Sequence, residues 1–126
     1  MSCIFHASGP NFDVDSFLRT SSLVPDRVLH KGEPRGKKSI HEQSGFTMVA
    51  SNAEMVDPAQ QVLDAIEFLK ANQVELEKLR HVQGVTMCLD FGIADRDVVV
   101  QCDRFPPELL RLAGNLEIGI EISHYA

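Results

Sequence analysis

The stretch from Asp57 to Gly84 constrains the fold more than any other, because its periodicity, its start and its stop all agree. Asp57-Pro58-Ala59-Gln60 reads as a helix start: the Asp57 carboxylate can accept from free backbone N–H groups, Pro58 suits the first helical position, and Gln60 stands where a capping box reaches back. Val62, Ala65, Ile66, Leu69, Gln73 and Leu76 then recur along one stripe, with Asp64, Glu67, Ala71, Glu75 and Lys78 on the other side. Leu63, Phe68, Val74 and Leu79 sit on the shoulders, so the apolar arc is wider than one sheet contact needs. A loop, a neighbouring helix or a second subunit is expected to cover a shoulder. The i,i+3 pairs Glu67 with Lys70, Glu75 with Lys78 and Glu77 with Arg80 support the helix, Arg80 and His81 suit its negative end, and Gly84 stops it. Unbroken, such a rod is about 35 Å long. Something broad must lie beneath it.

The flanking segments supply that layer. Cys3 to Ala7 reads as a first strand stopped by Ser8-Gly9-Pro10, and Asp13 caps a short helix through Thr20, with Phe12 stapled onto Phe17. Ser21 to Ser44 holds Pro25, Gly32, Pro34 and Gly36 without sustained periodicity, which predicts a long loop with a short extended piece at Arg27 to His30. Gly45 to Ser51 reads as a second strand. After Gly84 the spacing switches to alternation: Val85, Met87, Leu89 and Phe91 share one side, and Val98, Val100 and Cys102 match them across a turn at Ile93-Ala94-Asp95-Arg96. That hairpin puts Leu89 opposite Val100 and points Cys88 to the other face, so Cys88 and Cys102 cannot bridge. A short helix follows, with Pro106-Pro107 at its start and Gly114 at its end. Leu116, Ile118, Ile120 and Ile122 alternate strictly with Glu117, Gly119, Glu121 and Ser123, which predicts a half-buried closing strand. The order is β-α-β-α-β-β-α-β. It implies a single α+β domain over residues 1–126, a two-layer sandwich whose mostly antiparallel sheet carries one long helix on one face.

Composition narrows the class of function. At 126 residues the chain can bury roughly two thirds of its unfolded surface without a disulfide or metal staple. A net charge of −6 disfavours general nucleic-acid binding, and the lack of Trp with a single Tyr disfavours a base- or sugar-stacking surface. Three cysteines with no CxxC pair fit a reducing cytoplasm. The N-terminus lacks a basic lead and a long apolar run, and the longest aliphatic run, Val98-Val99-Val100, is far short of a membrane span. A soluble cytoplasmic protein of bacterial origin is expected.

Several short pieces together carry a resemblance. These are Phe12-Asp13-Val14-Asp15, Pro25 with Lys31-Gly32-Glu33-Pro34, Ser44-Gly45-Phe46, Pro107-Glu108-Leu109-Leu110, and the closing Ile122-Ser123-His124-Tyr125. Across nearly its whole length the chain resembles the bacterial domain-of-unknown-function family 4279, with Phe46 where a Trp is expected in members. The resemblance implies an α+β domain and brings no catalytic residues with it.

The residues that could carry chemistry are few. Arg27, Lys31, Arg35, Lys37 and Lys38 face only Glu33 in their segment, with His30 and His41 nearby, in an otherwise acidic chain. Cations beside glycines suit a phosphate, an acidic partner surface or RNA, although the spacing matches no phosphate-cradling motif. The five histidines form no HxxxH, HxH or HxxEH arrangement, so no metal site is expected; His6 and His124 could meet only if the two terminal strands were neighbours. Cys88 has carboxylates rather than cations near it, which favours an inert thiol, and Asp95 and Asp97 belong to a turn. No GxSxG, GxGxxG or SxxK is present, so no catalytic residue or cofactor is expected. The reading is a non-catalytic protein-interaction module, by analogy an inhibitor or immunity-type protein. It would use the wet face of the sheet or an uncovered edge toward a protein partner or a second copy, and as an acidic inhibitor it would neutralise a basic partner. The alternative is a small ligand-binding protein or enzyme with its pocket between the sheet and the loop 27–44.

Overall fold

In a computed structural model describing residues 1–126, the first segment to settle is β1 (Cys3–Gly9), whose Cys3, Phe5 and Ala7 are almost wholly buried while the residues between them are half-exposed. The elements that follow are α1 (Val14–Arg19), β2 (Arg27–Leu29), β3 (Pro34–Arg35), β4 (Ser39–Ile40), β5 (Ser44–Ser51), α2 (Pro58–Ala71), α3 (Gln73–Arg80), β6 (Thr86–Ala94), α4 (Pro107–Asn115) and β7 (Ile118–Tyr125). Five strands form one sheet in the order β2-β5-β1-β6-β7, and β3 and β4 make a separate two-stranded ribbon. The sheet is mixed: β1 pairs antiparallel with β5 and β6, and β2 with β5, but β7 runs parallel to β6. The parallel pair follows from the connection, since α4 carries the chain back to the starting end of the sheet as a crossover does.

The fold class is α+β, and two of its expected details are replaced. The single rod is two helices, broken at Asn72, whose side-chain Nδ2 donates to the Phe68 carbonyl at 2.9 Å. An Asn side chain that takes a backbone acceptor in mid-helix competes with the helix itself. The start is as expected, with Gln60 N–H donating to Asp57 at 3.2 Å, but the Gln60 side chain bonds Asp64 instead of reaching back. The element order also differs. The segment read as the second arm of a hairpin, Val98 to Cys102, is not a strand: β1 occupies one side of β6 and β7 the other, so β6 has no edge left for it. Residues 95–106 instead form a loop drawn in by Arg96, which reaches Asp103 at 2.5 Å, and by Gln101, which accepts from Arg96 N–H and donates to the Ala94 carbonyl. The loop 21–44 gains the β3–β4 ribbon, and its extended piece pairs as β2.

The helices seal one face. Val62, Ala65, Ile66 and Leu69 of α2, Leu76 and Leu79 of α3, and Leu109 and Ala113 of α4 share one apolar cluster with Phe5, Phe46, Leu89, Phe91 and Ile118 of the sheet. The shoulder of α2 is covered in part by α4, tied on by Lys70 to Glu108 at 2.8 Å, while Leu63 and Val74 stay exposed. Ile118 is buried and Ile120 half-buried, but Ile122 is 52 % exposed because β7 is the last strand and the helical layer stops short of its far end. Gly45 has no room for a side chain: a Cβ there would lie 2.1 Å from the Ala7 carbonyl oxygen. Gly84 ends the helical region with φ +79, a left-handed turn that lets the chain enter β6.

Candidate functional site

The basic segment becomes a protruding ribbon. Its base is fixed by backbone bonds: Gly32 N–H donates to the His41 carbonyl at 2.9 Å, and His41 N–H donates to Glu33 at 2.9 Å. Lys31 N–H donates to the Ser44 hydroxyl at 2.9 Å. His30 is a strut between two elements, with Nε2 3.0 Å from Asp15 of α1 and Nδ1 2.8 Å from Glu33. Its pKa is raised, chiefly by the hydrogen bond to Asp15 and further by Glu33. His30 is therefore part of the scaffold, and His41 contributes backbone. At the tip Gly36 takes φ +69, and Ser39 donates its hydroxyl to the Arg35 carbonyl at 2.7 Å. Arg27 stands apart on β2, level with Thr47 on the sheet face that carries no helix. Lys31, Arg35, Lys37 and Lys38 are exposed, and none forms an ion pair within the chain. Residues 27–38 hold five Lys and Arg against Glu33, a balance of +4, so the other residues carry seven against seventeen carboxylates, or −10. Four of these five cations thus sit on one projecting element, and the remainder of the chain outside residues 27–38 is acidic.

The open face of the sheet has its own pattern. Strand register aligns Arg27, Thr47, His6, Cys88 and Gly119 in one row, and Val49, Ile4, Asp90 and Glu121 in the next. Cys88 sits opposite His6 and Gly119, not Gln101, and its thiol lies 3.6 Å from Glu121. Burial, then the Glu121 carboxylate, pushes that thiol up to about 11, so it stays protonated and weakly nucleophilic at neutral pH. Ser123 donates to both oxygens of Asp90, at 2.8 and 3.0 Å. His6 and His124 do not meet, because β6 lies between β1 and β7; His124 pairs with Asp95 instead. No three His, Cys, Asp or Glu side chains stand close enough together to hold a metal ion.

The two best-formed grooves of the molecule are not lined by residues 27–44. One, of about 510 Å³, lies between α2 and the end of β5 and is lined by Ser51, Asp64, Glu67 and Phe68 among others. Its acid Asp64 is already engaged by Ser51 at 2.7 Å and Gln60 at 2.9 Å. The other, of about 410 Å³, lies between β7 and the loop 95–106, with Asp95, Gln101, Asp103 and His124 around Ile93, Phe105 and Ile122. Sequence reasoning missed this second cluster because it placed residues 98–102 in a strand. The missed signal was the pair of opposite charges at Arg96 and Asp103, which suits a closed loop.

A family model described as Domain of unknown function (DUF4279) matches residues 1–126. No curated protein and no solved structure matches the chain.

Proposed function

The chain belongs to the DUF4279 family over its whole length, and from that premise we propose that it is a non-catalytic protein-interaction module whose basic ribbon docks on an acidic partner surface. The observation that carries this reading is the segregation of charge: four cations without a carboxylate partner on a ribbon whose base is held by backbone bonds and by His30. A cation already paired within its own chain gains little from a new anion, whereas these four keep their full electrostatic attraction. An inhibitor or immunity-type protein is the kind of role that such a fixed, charged docking element suits. The thiol and the carboxylates of the open face add nothing nucleophilic to it.

The test uses a polyglutamate peptide as the probe. The chain is expected to bind it at low salt and to release it as ionic strength rises, and replacing Lys31, Arg35, Lys37 and Lys38 together by Ala is expected to weaken binding about tenfold or more. Unchanged affinity in low salt removes the reading. A small-ligand or enzymatic role has one observation in its favour, the convergence of Asp95, Gln101, Asp103 and His124 on one groove. That groove lies away from the loop 27–44, where the sequence suggested a pocket.

A further inference from the structure

The two edges of the sheet are treated differently. The β2 edge is three residues long, follows Pro25 and carries Arg27, features that discourage strand addition. The β7 edge is eight residues long, without Pro, Lys, Arg or a bulge. Asp95 N–H donates to the Tyr125 carbonyl on the β6 side, so alternation turns the peptide groups of Ile118, Ile120, Ile122 and His124 outward. Two of the twelve exposed large apolar side chains lie on this strand and three more on the loop beside it. Ile122 is 52 % and Tyr125 50 % exposed on the strand, and Val98, Val99 and Val100 project from the loop that shares a groove with Ile122 and His124.

We propose that β7 is a self-association edge, on which a second copy of this chain adds its own β7 antiparallel about a two-fold axis at Ile122. The register follows from the sequence. An axis at Ile122 sets Ile122 against Ile122, Ile120 against His124, Glu121 against Ser123, and Gly119 against the Tyr125 ring, with no like charges opposed. An axis one residue earlier opposes Glu121 to Glu121, which destabilises. The chosen axis also uses the full strand, whereas an axis at Ile120 leaves its last residues unpaired. Self-compatibility singles out a second copy as the occupant: at this axis Ile122 meets Ile122, each Ile120 meets a His124 ring, and each Glu121 meets a hydroxyl instead of a like charge. The short, charged β2 edge closes the assembly at two, because head-to-tail pairing of β7 with β2 would have only three residues to hold it. This surface is separate from the basic ribbon.

Sedimentation equilibrium and amide hydrogen exchange test it. The wild-type chain is expected at twice its 14.0 kDa mass, with the outward amides of Ile120, Ile122 and His124 protected more strongly as concentration rises. Ile122→Lys, which sets two cations face to face, is expected to weaken the dimer about a hundredfold. If Ile122→Lys fails to fold, the exchange of the wild-type amides decides alone. A wild-type mass of 14.0 kDa at every concentration, a dimer that survives Ile122→Lys, or unprotected β7 amides within a dimer would overturn the proposal. The fourfold Ala variant of the ribbon is expected to remain dimeric, so loss of peptide binding and loss of the dimer report on different surfaces.

Discussion

Cys3, Cys88 and Cys102 sort by environment in a way the sequence showed only in part. Absence of a neighbouring cation was readable for Cys88, and its thiol is indeed held protonated; that Cys3 is the most buried of the three was not, because burial depends on which strands flank β1. Burial, with Asp90 and Asp64 adding to it, pushes the Cys3 thiol up to about 12 from an ordinary 9.0. An alkylating reagent at about pH 8 should therefore modify exposed Cys102 first, Cys88 slowly and Cys3 only on unfolding, as peptide mass spectrometry would record. Because the folded pKa of Cys3 is raised, its contribution to stability is complete below 9.0 and is lost as pH climbs toward about 12. Cys3→Ala should flatten the alkaline limb of a stability–pH curve; an unchanged limb would assign it to other groups. His30 has the same sign at lower pH: its anchoring of the ribbon is complete below 6.5 and fades as pH rises through its elevated folded value. Exchange protection of the Gly32 and His41 amides should fall over that window. Gly45→Ala should destabilise by about 3 kcal/mol in chemical denaturation, since its Cβ would meet backbone that cannot move aside.

The helix ends, the closing strand and the break in the rod show where periodicity is informative. Asp57, Pro58 and the stripe of Val62, Ala65, Ile66, Leu69 and Leu76 were legible because capping and burial act within a few residues, but past the break Gln73 is exposed and Leu79, expected on a shoulder, is fully buried. Asn72 was not, since its propensity is weak evidence against a long apolar stripe and only its bond to Phe68 decides. The alternation of Val98, Val100 and Cys102 misled for a different reason: a strand needs a free neighbour, and which edges are free is a property of the whole sheet. The end of α4 shows the same limit. Gly114 stays helical, and the left-handed residue that leaves the helix is Glu117, at φ 57. A non-glycine residue there costs roughly 1 kcal/mol, so Glu117→Gly should raise the melting free energy by about that amount despite losing the 3.6 Å contact to Arg80. A loss of stability would show that the Arg80 contact outweighs the backbone strain.

The molecule as a whole is a sheet sealed on one face by helices, with an open face, a long β7 edge and a projecting basic ribbon. No helix is long and apolar enough to cross a membrane. The cations of the ribbon were legible as a composition shift, but their projection depends on the β3–β4 pairing and the His30 strut, which join residues far apart in sequence. The most direct test of function through this ribbon is to titrate isotopically labelled chain with polyglutamate at low salt and follow every backbone amide by NMR. The account predicts shifts confined to Arg27 through His41 that vanish when salt is added. Shifts centred instead on Asp95, Gln101, Asp103 and His124, or none at all, would contradict it.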